Sequence, residues 1–289
     1  MGKLPEPIFF VHQQPHPAHA VWAEKVRAKF IYFKGHRILK ERSNWNHLLK
    51  FFRASLPWRL SKLIISEGGA PLNTAVILHN YSGAPIVMIL ADETGVSVKR
   101  NDDTYSRDVR AFLKLVDGAI SVSELVTKSF NGLFREGIPV ETVRPSVGKT
   151  FLNAVVKEPR GKPFRIALVS KGGSRGLIGK IPQWIGELCV LLRKRISDIE
   201  ILVAGTDELT VKTGNISPVG SIPYSRMAEF YQSVNLLLHV PDFDSFSVVP
   251  AEALSCGTPV LVSRGAGICE FFEEHGLNEL IVNDISIES

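Results

Sequence analysis

Asp244 and Glu252 flank a turn of mostly small residues, Ser245-Phe246-Ser247, and this is the stretch of the chain best suited to chemistry. The apolar run Leu236–His239 before it reads as a strand, and Val249–Ser255 after it reads as a helix. A helix that starts at a strand's carboxyl end presents unsatisfied N–H groups and the positive end of its dipole, a seat for an anion such as a diphosphate. A carboxylate one or two turns further in repels phosphate. Glu252 suits hydroxyls instead, which it can accept from in pairs, as from a ribose diol. Gly257-Thr258-Pro259 then ends the helix and opens a buried strand.

A second stretch has similar resources. Between a strand ending near Val169 and a helix from Ile181, Gly172 and Gly173 let the main chain approach a ligand closely. Arg175 and Lys180, at the start of that helix, can neutralise the charge of a leaving diphosphate, and Lys171 could substitute for either. Gly205-Thr206-Asp207 and Gly220-Ser-Ile-Pro-Tyr224 each follow a strand and carry turn chemistry.

These segments need a scaffold that returns strand after strand to one edge. Short β-branched runs alternate with amphipathic stretches throughout, the pattern of parallel βαβ units. Strands are expected at Ile8–Val11, Phe30–Phe33, Leu63–Ile65, Ile86–Leu90, Ala119–Val122 and Thr142–Arg144, with helices at Trp45–Ala54, Leu72–Tyr81, Tyr105–Leu115 and Glu124–Glu136. Periodicity fades over 151–163, where Lys157, Pro159, Gly161 and Pro163 suit a linker. Alternation then resumes with strands Arg165–Val169, Glu200–Ala204, Ser217–Gly220, Leu236–His239 and Pro259–Val262, and helices Ile181–Arg195, Tyr224–Ser233 and Val249–Ser255. The expected fold class is α/β, as two doubly wound halves: an N-terminal domain, 1–150, and a C-terminal domain, 164–289.

Composition narrows the class further. A charged fraction of 22% against 45% hydrophobic residues reads as globular, and the three cysteines, Cys189, Cys256 and Cys269, are too few and too spread for a disulfide framework. A cytoplasmic protein with reduced thiols is the expectation. No secretory leader or membrane span is expected, since runs such as Pro85–Ala91 are too short. No cofactor, metal site or nucleic-acid partner is expected either, for no His-Glu-x-x-His helix or carboxylate cage is present. Charge is uneven: the basic residues from Lys25 to Lys62 are opposed only by Glu41. Trp45, Leu48, Leu49, Phe52 and Leu56 share one helical face there, which suits packing on a sheet or peripheral docking on an anionic membrane surface.

The Asp244–Glu252 segment resembles the E-x7-E region of the retaining glycosyltransferases of family 4 (group 1 glycosyltransferases), and Glu252-Ala-Leu-Ser-Cys-Gly-Thr-Pro-Val matches its second half closely. The resemblance implies the GT-B fold, two Rossmann-like domains facing a cleft, with the acceptor on the first and a nucleotide-sugar donor on the second. It implies that Glu252 holds the ribose, while Asp244, Ser245, Phe246, Ser247 and Val248 hold donor sugar and phosphate. Aspartate stands here for the family's glutamate, and Ser245 and Ser247 stand for its usual glycines. Arg175 and Lys180 have the five-residue spacing of the family's diphosphate-binding pair, and with Asp244 they are the catalytic candidates. Gly205 falls near the nucleobase, and Gly265-Ala-Gly-Ile-Cys-Glu270 matches the family's loop after the next strand.

In the first domain, His12, His16, His19, Asp92 and Glu93 are cleft candidates by position only, and the family's glycine-rich loop is replaced by His12-Gln-Gln-Pro-His-Pro-Ala-His. The resemblance also implies a C-terminal end shorter than the family's. The expected activity is hexosyl transfer with retention to an acceptor for which lipid and lipid-linked glycan are candidates. Nucleotide-sugar epimerisation and a non-catalytic nucleotide-sugar-binding homologue, or partner subunit of another transferase, are the alternatives.

Overall fold

A computed structural model describes residues 8–12, 22–32, 61–68, 70–91, 113–130, 137–155, 161–169, 184–207, 209 and 215–283. The chain divides into two compact units, Met1–Ser146 and Val147–Ser289.

The first unit contains β1 (Ile8–His12), β2 (Lys29–Tyr32), β3 (Leu63–Glu67), α1 (Ala70–Ser82), β4 (Ile86–Leu90), β5 (Gly118–Ser121), α2 (Glu124–Ser129) and β6 (Val140–Thr142). All six strands run parallel in the order β2-β1-β3-β4-β5-β6. Strands buried on both faces must be apolar throughout rather than alternating, and Ile8, Ile64, Ile86 and Ile89 are accordingly buried. Helix α1 covers this sheet with Leu72, Ala75, Val76 and Leu78. Helix α2 starts where Ser123 accepts the Val126 amide at 3.2 Å, a side-chain cap reinforced by Glu124 in the first turn.

The second unit contains α3 (Lys149–Leu152), β7 (Phe164–Val169), α4 (Trp184–Arg193), β8 (Ile199–Ala204), β9 (Ile216–Gly220), α5 (Met227–Tyr231), β10 (Leu236–His239), α6 (Val248–Ser255), β11 (Val260–Ser263), α7 (Cys269–Glu274) and β12 (Ile281–Val282). Its sheet is also parallel, in the order β12-β11-β10-β7-β8-β9. Helix α4 turns Ile185 and Cys189, one helical turn apart, onto Ile166, Ile199, Ile201 and Val203. All three cysteines are buried and free.

Several expectations shift in detail. The helix expected over Tyr224–Ser233 is a 3-10 turn, Tyr224–Arg226, running into the shorter α5. Of Glu124–Glu136, the structure describes a helix over Glu124–Ser129, and 131–136 lie outside the described residues. The helix Trp45–Ala54 and most of Tyr105–Leu115 also lie outside them. Phe151, placed in the linker by composition, is fully buried in α3, its ring 5.2 Å from that of Tyr224 and 5.9 Å from that of Tyr231. Composition misses it because the apolar residues there, Phe151, Leu152, Val155 and Val156, show no regular period.

Truncating Phe151 would open a cavity under α5 and α6 that the surrounding rings cannot fill. Phe151→Ala is expected to cost about 3–5 kcal/mol in urea unfolding followed by tryptophan fluorescence.

Candidate active site

The second sheet reverses its winding beside β7. From β7 the chain proceeds outward to β8 and β9, then returns to the other side of β7 as β10. Loops after β7 and β10 therefore leave neighbouring strands at one edge, the switch point where open α/β sheets bind ligands. The loop after β7 holds Lys171, Gly172, Gly173, Arg175 and Lys180, which lie outside the described residues. The loop after β10 holds Asp244, Ser245, Phe246 and Ser247, and leads into α6.

That loop is built by its neighbour. The Asp244 amide donates to the Gly265 carbonyl at 2.8 Å, and the Gly267 amide donates to the Asp244 carbonyl at 2.9 Å, an isolated parallel bridge between Asp244 and Ala266. Any side chain at Gly265 would strike the carbonyl oxygens of Pro241 and Asp242, so glycine is required by close approach. The Ser263 hydroxyl donates to the Pro241 carbonyl at 2.7 Å and closes the same junction.

Asp244 Oδ2 lies 3.2 Å from His239 Nε2, and its Oδ1 accepts the Ser247 amide at 3.1 Å. Burial pushes this carboxyl up, but the His239 hydrogen bond and charge, together with Ser247, outweigh it and hold Asp244 below the usual carboxylate range. Both of its oxygens thus serve to shape the approach to α6. Phe246 is buried against the fold. Ser247, at φ 71°, occupies the left-handed region that favours glycine, and so cannot cap α6 with its side chain. Its buried hydroxyl oxygen has no hydrogen-bond partner among the described residues. Val248 begins the helix.

One turn further, Glu252 is buried to 7% exposure and accepts the Tyr231 hydroxyl on Oε2 at 2.9 Å. Burial raises its carboxyl to about 7, against the opposing pull of the Tyr231 hydrogen bond. Its charge acts outward in turn. Burial first, then Glu252, raises the Tyr231 and Tyr224 phenols and lifts the Cys256 thiol to about 11. Tyr231 escapes sequence reasoning because it lies on a different helix, and no spacing rule links α5 to α6. The signal available was a polar-tipped aromatic, Tyr231, in an otherwise apolar helix face that needs a buried partner.

Gly205 (φ 95°) and Gly220 (φ 70°) close β8 and β9, and their loops bond to each other: the Gly205 amide donates to the Gly220 carbonyl at 2.7 Å, and the Gly220 amide to the Thr206 carbonyl at 3.0 Å. Turn geometry accounts for both glycines. In the first unit the winding reverses between β1 and β3, and His12 is the last residue of β1. His16, His19, Asp92 and Glu93 lie outside the described residues. Among the described residues no group of three or more His, Cys, Asp or Glu could hold a metal ion, and no helix is long and apolar enough to cross a membrane.

Two parallel Rossmann-like sheets, the second with a loop and helix at its switch point, define an α/β protein of doubly wound type. Residues 187–284 match a family model described as glycosyl transferase-like. Over 180 residues the chain is 22% identical to a GDP-mannose-dependent alpha-mannosyltransferase of Corynebacterium glutamicum, covering 60% of this chain and 41% of that protein. This chain therefore matches under half the length of that relative.

Among solved structures, sucrose-phosphate synthase from Thermosynechococcus elongatus superposes with a TM-score of 0.61 at 16% identity, covering 88% of this chain and 68% of that one. HepE of Anabaena, in complex with UDP and glucose, gives 0.58 at 13% identity, covering 91% and 82%. A glycosyltransferase from Rickettsia africae gives 0.62 at 11% identity, covering 91% and 72%. The fold is GT-B, and the chain resembles the group 1 glycosyltransferases.

Glu252 makes stability depend on pH. Its folded value, about 7, lies above its ordinary 4.5, so the folded state holds an extra proton between the two. This contribution is full below about pH 4.5 and is lost as pH rises through about 7. Relative to Glu252→Gln, the wild-type protein should therefore lose about 2–3 kcal/mol between pH 5 and pH 8, measured by urea unfolding at each pH.

Proposed function

We propose that this protein is a retaining hexosyltransferase that uses a nucleotide-sugar donor. In this reading the bond between the sugar's anomeric carbon and the diphosphate breaks. A new bond to an acceptor oxygen forms on the same face, and the nucleoside diphosphate departs with the bonding pair and takes up the proton that the acceptor hydroxyl loses. The observation that carries the reading is the buried carboxyl of Glu252, held through one oxygen in the turn after a helix N-terminus. A carboxylate so placed suits a ribose diol, and the amides at the start of α6 suit the diphosphate. The match of residues 187–284 to the glycosyl transferase-like model supports this, as do the relatives described with GDP-mannose and with UDP.

Arg175 and Lys180 take the diphosphate charge in this scheme, and Asp244 organises the loop around the donor. No metal is required. The donor panel is UDP-, GDP- and ADP-hexoses with membrane extract as acceptor source, read by release of nucleoside diphosphate and by the anomeric configuration of the product. Transfer with retention, lowered about 100-fold or more in Arg175→Ala, is the expected result. Inversion would overturn the mechanism.

A second reading, nucleotide-sugar binding without transfer, draws on Asp244, both of whose carboxylate oxygens face protein donors in the structure. Binding of a donor with no turnover under any acceptor would establish it in place of the first.

For the acceptor we propose a lipid or lipid-linked glycan, taken by a protein that works in the cytoplasm, peripherally on an anionic membrane. The run of basic residues from Lys25 to Lys62, opposed only by Glu41, supports this. Co-sedimentation should be several-fold stronger with vesicles containing phosphatidylglycerol than with pure phosphatidylcholine, and should fall as salt rises. Equal, negligible pelleting with both would sink the membrane proposal.

A further inference from the structure

We propose that Tyr231 is a positioning residue for nucleotide recognition: it fixes the Glu252 carboxylate through one oxygen and leaves the other for the ribose diol of a nucleoside diphosphate. The inference rests on the nucleotide-sugar reading above. Four observations converge on it. Tyr231 is fully buried, and its hydroxyl donates to Glu252 Oε2 at 2.9 Å. Its ring packs against those of Phe151 at 5.9 Å and Phe230 at 6.1 Å. Its main-chain carbonyl accepts the buried Thr258 hydroxyl at 2.7 Å, which ties α5 to the segment just beyond α6. Among the described residues no hydrogen bond reaches Glu252 Oε1.

A free glutamate has three side-chain torsions to order when it meets a diol, and a clamped one has already ordered them. One carboxylate oxygen can accept two hydrogen bonds, as many as a vicinal diol donates. The phenol also favours the ionised carboxylate, the form that accepts from both hydroxyls, and thereby opposes the effect of burial. If Tyr231 merely satisfied a buried acid, its loss would weaken all ligands alike. Positioning predicts a loss confined to ligands that carry the diol.

The test is calorimetric titration of the full chain with UDP and GDP, then with the 2′,3′-dideoxy counterpart of the tighter binder. Wild-type protein should prefer the ribose form. Tyr231→Phe should weaken the ribose form about 10-fold and leave the dideoxy form within about twofold, so that the preference collapses as it does in Glu252→Gln. Equal weakening of both ligands, or unchanged affinity for the ribose form, overturns the inference. Should Tyr231→Phe fail to fold, Thr258→Val carries the test, since it frees the tyrosine carbonyl without touching the phenol. A smaller loss restricted to the ribose form supports positioning, and a uniform loss or none overturns it. Wild-type protein that binds neither diphosphate defeats the nucleotide-sugar reading and this inference together. A preference that collapses in Glu252→Gln but survives in Tyr231→Phe defeats the inference alone.

Discussion

The carboxyl edge of the second sheet depends on one close approach, in which the main chain of Asp244 bonds to Gly265 and Gly267 across the gap between two loops. It fixes the path of the loop after β10, and with it the point from which α6 starts. The approach is possible only because position 265 has no side chain, and Ser263 reinforces it from the end of β11. The sheet order supplies the other half of the constraint by placing the carboxyl end of β7 beside that of β10.

On that frame two acids a few residues apart acquire opposite characters. Asp244 meets His239 and the Ser247 amide and is held low, so it is anionic and internally satisfied. Glu252 meets, among the described residues, one neutral phenol in a dry environment and is held high, near neutrality. The difference is one of partners rather than of depth alone, because burial pushes both groups the same way. An acid already paired on both oxygens organises structure, whereas an acid with one oxygen spare and a carboxyl that titrates near neutrality is suited to a ligand.

How much of this was legible in the sequence follows from what periodicity and spacing can encode. Strand Leu236–His239 has the same bounds in the structure as in the sequence reading, as does Ile86–Leu90, because unbroken apolar runs bounded by turn residues admit few alternatives. The likeness around Glu252 was legible because its residues are contiguous. The contacts made by these residues were not. Tyr231 reaches Glu252 from another helix, and His239 turns back on Asp244 across a loop, and neither pairing leaves a periodic trace. Phe151 was misplaced for a related reason: a helix of four residues ahead of β7 is too short to announce itself.

Phe151 also bears on where the second unit begins. The segment before β7 contributes the ring on which Tyr231 and Tyr224 rest, and Gly148 just upstream lies against the Tyr224 hydroxyl. A shortened protein that started at Phe164, the first residue of β7, would keep every strand of the second sheet. It would nevertheless lose the Phe151 ring that packs on Tyr231, the hydrogen-bond partner of Glu252. For anyone dissecting this molecule, the smallest faithful version of its second half starts ahead of Gly148, within what composition alone marks as the tail of the first.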